Sequence, residues 1–400
     1  MRLPAMGSVL VLLASVLIFA KATAQATASF VASRDQVSPM SPDPSSTYNQ
    51  LFGVSASSAT DVWAVGGYRN DITHVYETLI LHWDGVSWTQ IACPNPSSTA
   101  NGLDAVRAVS STNAWAVGDY VSDTTGAYET LILHWNGTAW SKVASPNPSA
   151  TENYLDGVTI SSTSARSGWA VGDFYNGKTK DYDTLAVRWN GSTWSHVASP
   201  SPSSSENYLN SVRAPSPTNA WAVGYSYTGT RDVTLIEHWN GTAWSKVGSP
   251  NTGSSDNLLY ATSGVSPSNG WAVGNYLSGS VNDTLALHWN GTVWSRVATP
   301  SPSSTENFLF AMRARSATDA WAVGEDVDNV TSDYVTLVVH WNGTKWTRTP
   351  TPSPGTLEDE LTGVTATSSM NAWAVGWYET SADDPMTMIL HWDGTAWSAV

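Results

Sequence analysis

Ala220-Trp221-Ala222-Val223-Gly224, a polar loop, then Thr234-Leu235-Ile236-Glu237-His238-Trp239-Asn240-Gly241-Thr242-Ala243-Trp244 is the core of one repeat unit. Trp-Ala-Val-Gly occurs seven times, opening on Trp63, Trp115, Trp169, Trp221, Trp271, Trp321 and Trp373. The intervals are 52, 54, 52, 50, 50 and 52 residues. A constant period of this size means an array, a solenoid or a propeller. The unit running from Asn207 to Pro250 contains four runs of strand length: Tyr208 to Ala214, Ala220 to Gly224, Thr234 to Trp239 and Trp244 to Val247. Gly, Pro, Asn or Ser bounds each run, and none carries a 3.6-residue apolar period. Four short strands per unit and seven units predict an all-β, seven-bladed β-propeller with four antiparallel strands per blade. A parallel solenoid would need odd capping units, and the first and seventh units here resemble the rest.

Side-chain alternation supports blades stacked face to face. In the second run Trp115 and Val117 share one face while Ala114, Ala116 and Gly118 share the other. A bulky face can nest against the bare face of its neighbour. Each unit supplies three tryptophans, so 21 of the 22 are expected between blades. Burying about 150–250 Å² of indole stabilises by at most roughly 4–6 kcal/mol each.

The chain holds 18 Lys plus Arg against 33 Asp plus Glu, a net charge of −15. That balance excludes a nucleic-acid binder, which needs cations to neutralise phosphates, and disfavours anionic membrane surfaces. Arg2, the apolar run Val9 to Ala20 and Ala22-Thr23-Ala24 before Gln25 read as a secretory signal over residues 1–24. The run is too short to span a bilayer. An exported protein with no membrane insertion after cleavage is therefore expected. Residues 25–47 read as an Ala/Ser/Pro-rich linker, with Phe30 to Ser33 a candidate extra edge strand, and 48–400 as the propeller. The single cysteine, Cys93, allows no intramolecular disulfide and stands where other repeats have Ser145, Ser199 or Thr299.

The hairpin Trp135-Asn136-Gly137-Thr138-Ala139-Trp140 recurs as Trp239 to Trp244 and Trp392 to Trp397. It resembles the Asp-box hairpin of sialidase-like and photosystem-assembly-factor-like propellers. With the Trp-Ala-Val-Gly strand, residues 48–400 resemble the secreted bacterial Trp-Ala-Val-Gly repeat propellers. The resemblance implies the fold and no one activity, because propellers host many functions. Asp84 to Trp88 is one residue shorter than an Asp box, and most copies replace the acid by Asn. A structural turn is expected, Asn-Gly suiting positive φ. The same reading applies to Asn136, Asn190, Asn240, Asn290 and Asn342, which match the glycosylation sequon.

An up-and-down meander puts the second-to-third-strand loops and the blade-to-blade linkers on one rim and the Asn-Gly hairpins on the other. Seventeen acids and four bases fall in those loops, so one rim is strongly acidic. Beside them come Glu152-Asn153-Tyr154, Glu206-Asn207-Tyr208, Asp256-Asn257-Leu258 and Glu306-Asn307-Phe308. Three features break the repeat. Asp326, Asp328 and Asp333 crowd hard oxygen donors into eight residues, a candidate calcium site. Trp377, the tryptophan outside the pattern, is expected on the rim with Tyr378. Arg188 replaces the histidine found as His82, His134, His238, His288, His340 and His391, which are expected to be satisfied strand residues.

These features predict a secreted, monomeric, non-catalytic binding module for carbohydrate or another cell-surface polymer, with a protein partner as a further possibility. Its ligand set would be Glu152, Asn153, Tyr154, Glu206, Asn207, Tyr208, Asp256, Asn257, Glu306, Asn307, Trp377 and Tyr378. The rival reading is a glycosidase or lyase using a carboxylate pair among Glu152, Glu206 and Glu306. A structural envelope protein is the third. No nucleophile elbow, phosphate-binding loop or zinc-protease motif is present.

Overall fold

The computed structural model describes residues 41–161, 166–379 and 384–400. They form seven four-stranded antiparallel sheets, each with its strands in chain order. Blade one contains β1 (Asn49–Ser58), β2 (Asp61–Arg69), β3 (Tyr76–Trp83) and β4 (Trp88–Gln90). Six further blades repeat this meander, the last formed by Asp359–Ser368, Asn371–Glu379, Pro385–Trp392 and Trp397–Ala399. The chain is thus the seven-bladed propeller that its period predicts. The candidate edge strand Phe30 to Ser33 lies outside the described residues.

Indole triads join the blades. Trp63 on β2 meets Trp135 at 4.9 Å and Trp140 at 5.2 Å, both from blade two. The same arrangement recurs round the ring, and at its last step Trp373 of blade seven meets Trp83 at 5.0 Å and Trp88 at 5.3 Å in blade one. Among the described residues no strand is exchanged; the ring closes with the contact used at every other junction. In six blades the second-strand tryptophan stands beside its own blade's histidine. His82 lies 4.1 Å from Trp63, and its Nε2 meets Asp61 Oδ1 at 2.8 Å. His134, His238, His288, His340 and His391 likewise contact an Asn or Asp at the start of the second strand. In blade three the Arg188 guanidinium takes this place, 5.1 Å from the Trp239 ring across the interface.

The glycine of Trp-Ala-Val-Gly answers to a close approach. Register shifts between Leu51 and Gly53, so Phe52 is an extra residue on β1. Such a bulge bends the strand and re-aims its neighbours. It drives the Gln50 carbonyl oxygen against Gly66, where a Cβ would lie 1.9 Å away. At Gly224 the Tyr208 oxygen would lie at 2.0 Å, and at Gly376 the Glu360 oxygen at 1.8 Å.

The hairpin rim is built by acceptor oxygens. Asn136 Oδ1 accepts from the Thr138 and Ala139 backbone N–H groups at 2.9 and 3.0 Å. Asp393 Oδ1 does the same with Thr395 and Ala396. An amide or an acid serves equally, which explains their interchange. Gly137 and Gly394 adopt φ of 96° and 98° in these turns.

Ser41–Thr47, read from sequence as linker, packs on the body. Asp43 Oδ1 accepts from the Thr387 backbone N–H at 2.8 Å. Asn147 holds Thr130 in the same way at 2.7 Å, and Asn251 holds Thr234 at 2.9 Å. The segment before β1 is therefore the seventh blade-to-blade linker, fastening blade seven to blade one.

Candidate functional site

The seven first strands surround a central cavity of about 340 Å³. Six carry a buried leucine, Leu51 in β1 and Leu103, Leu209, Leu259, Leu309 and Leu361 elsewhere, and in blade three Leu155 stands just ahead of the strand Gly157–Ile160. The residue after it lines the cavity, at a bulge in every blade but the third: Phe52, Asp104, Asp156, Asn210, Tyr260, Phe310 and Thr362. Two residues on, the wall is small (Gly53, Ala105, Gly157, Ser211, Ala261, Ala311, Gly363), because adjacent strands crowd the axis. A Cβ on Gly157 would lie 3.0 Å from the Ser211 Cα.

The bulge ring mixes rings and polar groups. Tyr260 and Phe310 meet edge to face at 5.4 Å. Asn210 Nδ2 donates to the Leu259 carbonyl at 2.8 Å, and its Oδ1 is buried without a partner. Burial, with Asp119 adding repulsion, holds the Asp104 carboxyl well above the usual carboxylate range. This ring was not singled out in the sequence. Aligning the repeats on their leucine exposes it, since the next residue changes chemistry from blade to blade.

Above the ring lies the rim that the acids share. Loop and linker meet there, as where Asp71 accepts from Ser45 Oγ at 2.7 Å and from the Ser46 backbone. The asparagines of the repeated triplets are wholly engaged within the chain. Asn207 Oδ1 accepts from Ser203 N at 2.8 Å, and its Nδ2 donates to the carbonyls of Tyr182 and Ser203, both at 3.0 Å. Asn153 and Asn307 make corresponding bonds, while Asn257 accepts from Thr252 N and donates to the Thr252 and Ser255 carbonyls of its own linker. Tyr154 and Tyr208 are buried. The acids of the triplets reach further out. Glu152 accepts from the hydroxyls of Tyr182 at 2.6 Å and Tyr154 at 3.2 Å, Glu306 accepts from Tyr334, and Glu206 is exposed. Asp256 accepts from Asp232 N at 2.9 Å. Burial, then Asp256 and Glu206, push the Asp232 carboxyl up to about 6.

Trp377 is only 7% exposed, in register with Glu360 and Thr387. Tyr378 beside it is half-buried. Of the aspartates expected to bind calcium, two are already engaged within the chain. Asp326 is buried and paired with Arg348 at 3.0 Å, while Asp328 Oδ1 accepts from Val330 N and Thr331 N in its own turn. Among the described residues the metal-capable side chains brought together are others. Ligand oxygens of Glu325, Glu358 and Glu360 all lie within 4.8 Å of one another. Glu325 stands on the second strand of blade six, and the other two lead into and begin the first strand of blade seven. Glu325 Oε2 and Glu360 Oε1 are buried without partners. Burial first raises all three carboxyls; repulsion from Glu360 and Glu358 adds to it at Glu325, from Glu358 at Glu360, and from Glu379 at Glu358, which rises to about 7.

No known protein-family profile matches the chain, and no curated protein does. Solved structures do. An ulvan lyase of polysaccharide lyase family PL25, bound to -[GlcA(1-4)Rha3S]-, superposes with a TM-score of 0.55 at 9% identity, covering 92% of this chain and 98% of that one. An ancestral GH74 enzyme gives 0.54 at 11% identity over 88% of this chain and 47% of that one. The β-propeller domain of the Trilobed protease from Pyrococcus furiosus, described as having an open velcro topology, gives 0.52 at 10% identity over 88% and 97%. At such identities the likeness is one of fold.

Proposed function

We propose that this chain is an extracellular, non-catalytic binding propeller that takes a carbohydrate or another cell-surface polymer at the acidic mouth of its channel. One observation carries the reading. At the bulge position the repeat abandons its uniformity and places three aromatics, Phe52, Tyr260 and Phe310, among Asp104, Asp156, Asn210 and Thr362. Aromatic faces stack on the C–H faces of sugar rings, and carboxyl and amide groups take hydroxyls. Binding sites favour such concave places with a few convergent polar groups. Glu152, Glu206, Glu306 and Asp256 would extend the contact outward over the rim. The signal-like residues 1–24 support export.

A glycan array tests this, probed with and without calcium. Tyr260→Ala and Phe310→Ala should each weaken the recognised glycan about two- to tenfold, from the roughly 0.5–1.5 kcal/mol of one aromatic contact. Silence across the array, or unchanged binding in both variants, would remove the reading.

The polysaccharide-active alternative has its own observation in Glu325, Glu358 and Glu360. Neighbouring carboxyls with displaced pKa values divide into an acid and a base. The ulvan lyase and the GH74 enzyme act on polysaccharides by their descriptions, and here they weigh only as fold neighbours. Cleavage of any polysaccharide by the native chain, lost in Glu358→Gln, would favour this reading over simple binding.

A further inference from the structure

Deeper in the channel a second ring of positions behaves differently. The fourth residue after each leucine pairs with the blade's second-strand tryptophan, as Arg107 does with Trp115 and Arg313 with Trp321. In three blades it is a hydroxyl residue that bonds the next blade. Ser55 accepts from Ala108 N at 3.0 Å, Ser263 from Ala314 N at 3.0 Å and Thr365 from Ala56 N at 3.4 Å. In blades two, four and six it is an arginine.

The arginine of blade four has a berth. Arg213 is 6% exposed, lies 5.8 Å from the Trp221 ring and donates from Nη1 to the Ser266 carbonyl at 3.3 Å. Gly264 and Gly270 of blade five make the hollow, since a Cβ on either would come within 2.3 Å of the guanidinium. The corresponding pairs beside Arg107 and Arg313 are Ile160 with Gly168 and Ala366 with Ala372. All three arginines line the cavity, but the two-glycine hollow belongs to Arg213 alone among them.

Like Arg213, both Arg107 and Arg313 are left with buried, unpartnered Nε–H groups. Among the described residues neither guanidinium is paired with a carboxylate, although the chain has 33 acids. Burial lowers Arg107 to about 10, with Arg313 repelling it, and burial lowers Arg313 as well. Guanidinium stays charged at neutral pH. Two half-buried cations whose buried Nε–H groups lack partners are costly, and their planar donor edges match oxyanions. We propose that Arg107 and Arg313 hold an oxyanion in the inner half of the channel: a sulfate, phosphate or carboxylate, free or as the terminal group of an acidic sugar. The proposal stands apart from the rim's reading and survives if no neutral glycan binds.

Isothermal titration of the full chain with sodium sulfate, sodium phosphate and glucuronate tests it. One site per chain is expected for at least one of them, weakened at least tenfold in Arg107→Gln/Arg313→Gln. Glucuronate binding tighter than acetate would support the site with a sugar as the source. Equal binding of the two would support it with the free anion. No heat from any of the anions, or equal binding by the double variant, overturns the proposal. Should the variant fail to fold, crystals of the native chain soaked in selenate decide. Anomalous density between Arg107 and Arg313 supports the site, and its absence overturns it.

Discussion

The layer between the blades and the layer facing the axis come from the same seven repeats, yet they have diverged in opposite directions. Between blades, a second-strand tryptophan meets two tryptophans of its neighbour seven times over, down to ring separations near 5 Å. At the axis, one position holds Phe, Asp, Asp, Asn, Tyr, Phe and Thr in turn. Packing rewards sameness, since each wedge must fit every other. Recognition of one ligand on a ring requires that the wedges differ. Variation at the axis marks where the molecule is free to specialise.

The largest effect should come from the uniform layer. Trp221→Ala opens a cavity against Trp289 and Trp294 and should cost about 3–5 kcal/mol in urea unfolding. A loss below about 1 kcal/mol would break the claim that the indole triads hold the ring.

Next comes a buried carboxyl in that layer. Glu237 stands where other blades have Leu81, Leu133, Val187, Leu287, Val339 or Leu390, and it is 0% exposed with neither oxygen partnered. Burial pushes its carboxyl up to about 9, with Lys246 pulling slightly the other way. Folded-state protonation is thus retained where the unfolded chain ionises. Its stabilising share is complete below the ordinary glutamate range and declines as pH rises through neutrality toward 9, by about 1.4 kcal/mol per pH unit. Glu237→Leu should flatten this decline and raise stability at pH 7 by roughly 3 kcal/mol. Parallel pH profiles for the two proteins would show the group to be solvated.

Smaller still is the linker contact. Asn207→Ala orphans the Ser203 N–H and the Tyr182 and Ser203 carbonyls and should cost about 1–3 kcal/mol. A loss of glycan binding with no change in stability would instead return the asparagine to the recognition layer. Smallest is the hairpin exchange Asp393→Asn. Hydrogen bonds from Thr395 and Ala396 hold the Asp393 carboxyl down to about 2, so its contribution is present above the ordinary aspartate range and fades as pH falls through 2. The two proteins should melt together at pH 7 and separate only in strong acid, by thermal denaturation.

The period, the four strands per blade and the tryptophans between blades were legible because each depends on spacing alone. The channel wall was not. A one-residue bulge after Leu51 changes which side chains face the axis, and a slip of one residue exchanges the two faces of a strand. Asn153, Asn207, Asn257 and Asn307 read as a recognition set because a string of letters does not distinguish an amide open to solvent from one bonded to its own backbone. Glu325 and Glu360 lie on adjacent blades, so only the stacking of blade six on blade seven brings them together. Arg213 is explained by two glycines about fifty residues away. Such pairs become visible once the neighbour relation is known.

The short stretch from Ser41 to Thr47 gives the molecule no privileged starting point. Its Asp43–Thr387 bond copies the fastening found at the other six junctions. A circularly permuted polypeptide, cut at any of those connectors and rejoined across the old termini, inherits the same seam chemistry and should assemble an indistinguishable wheel.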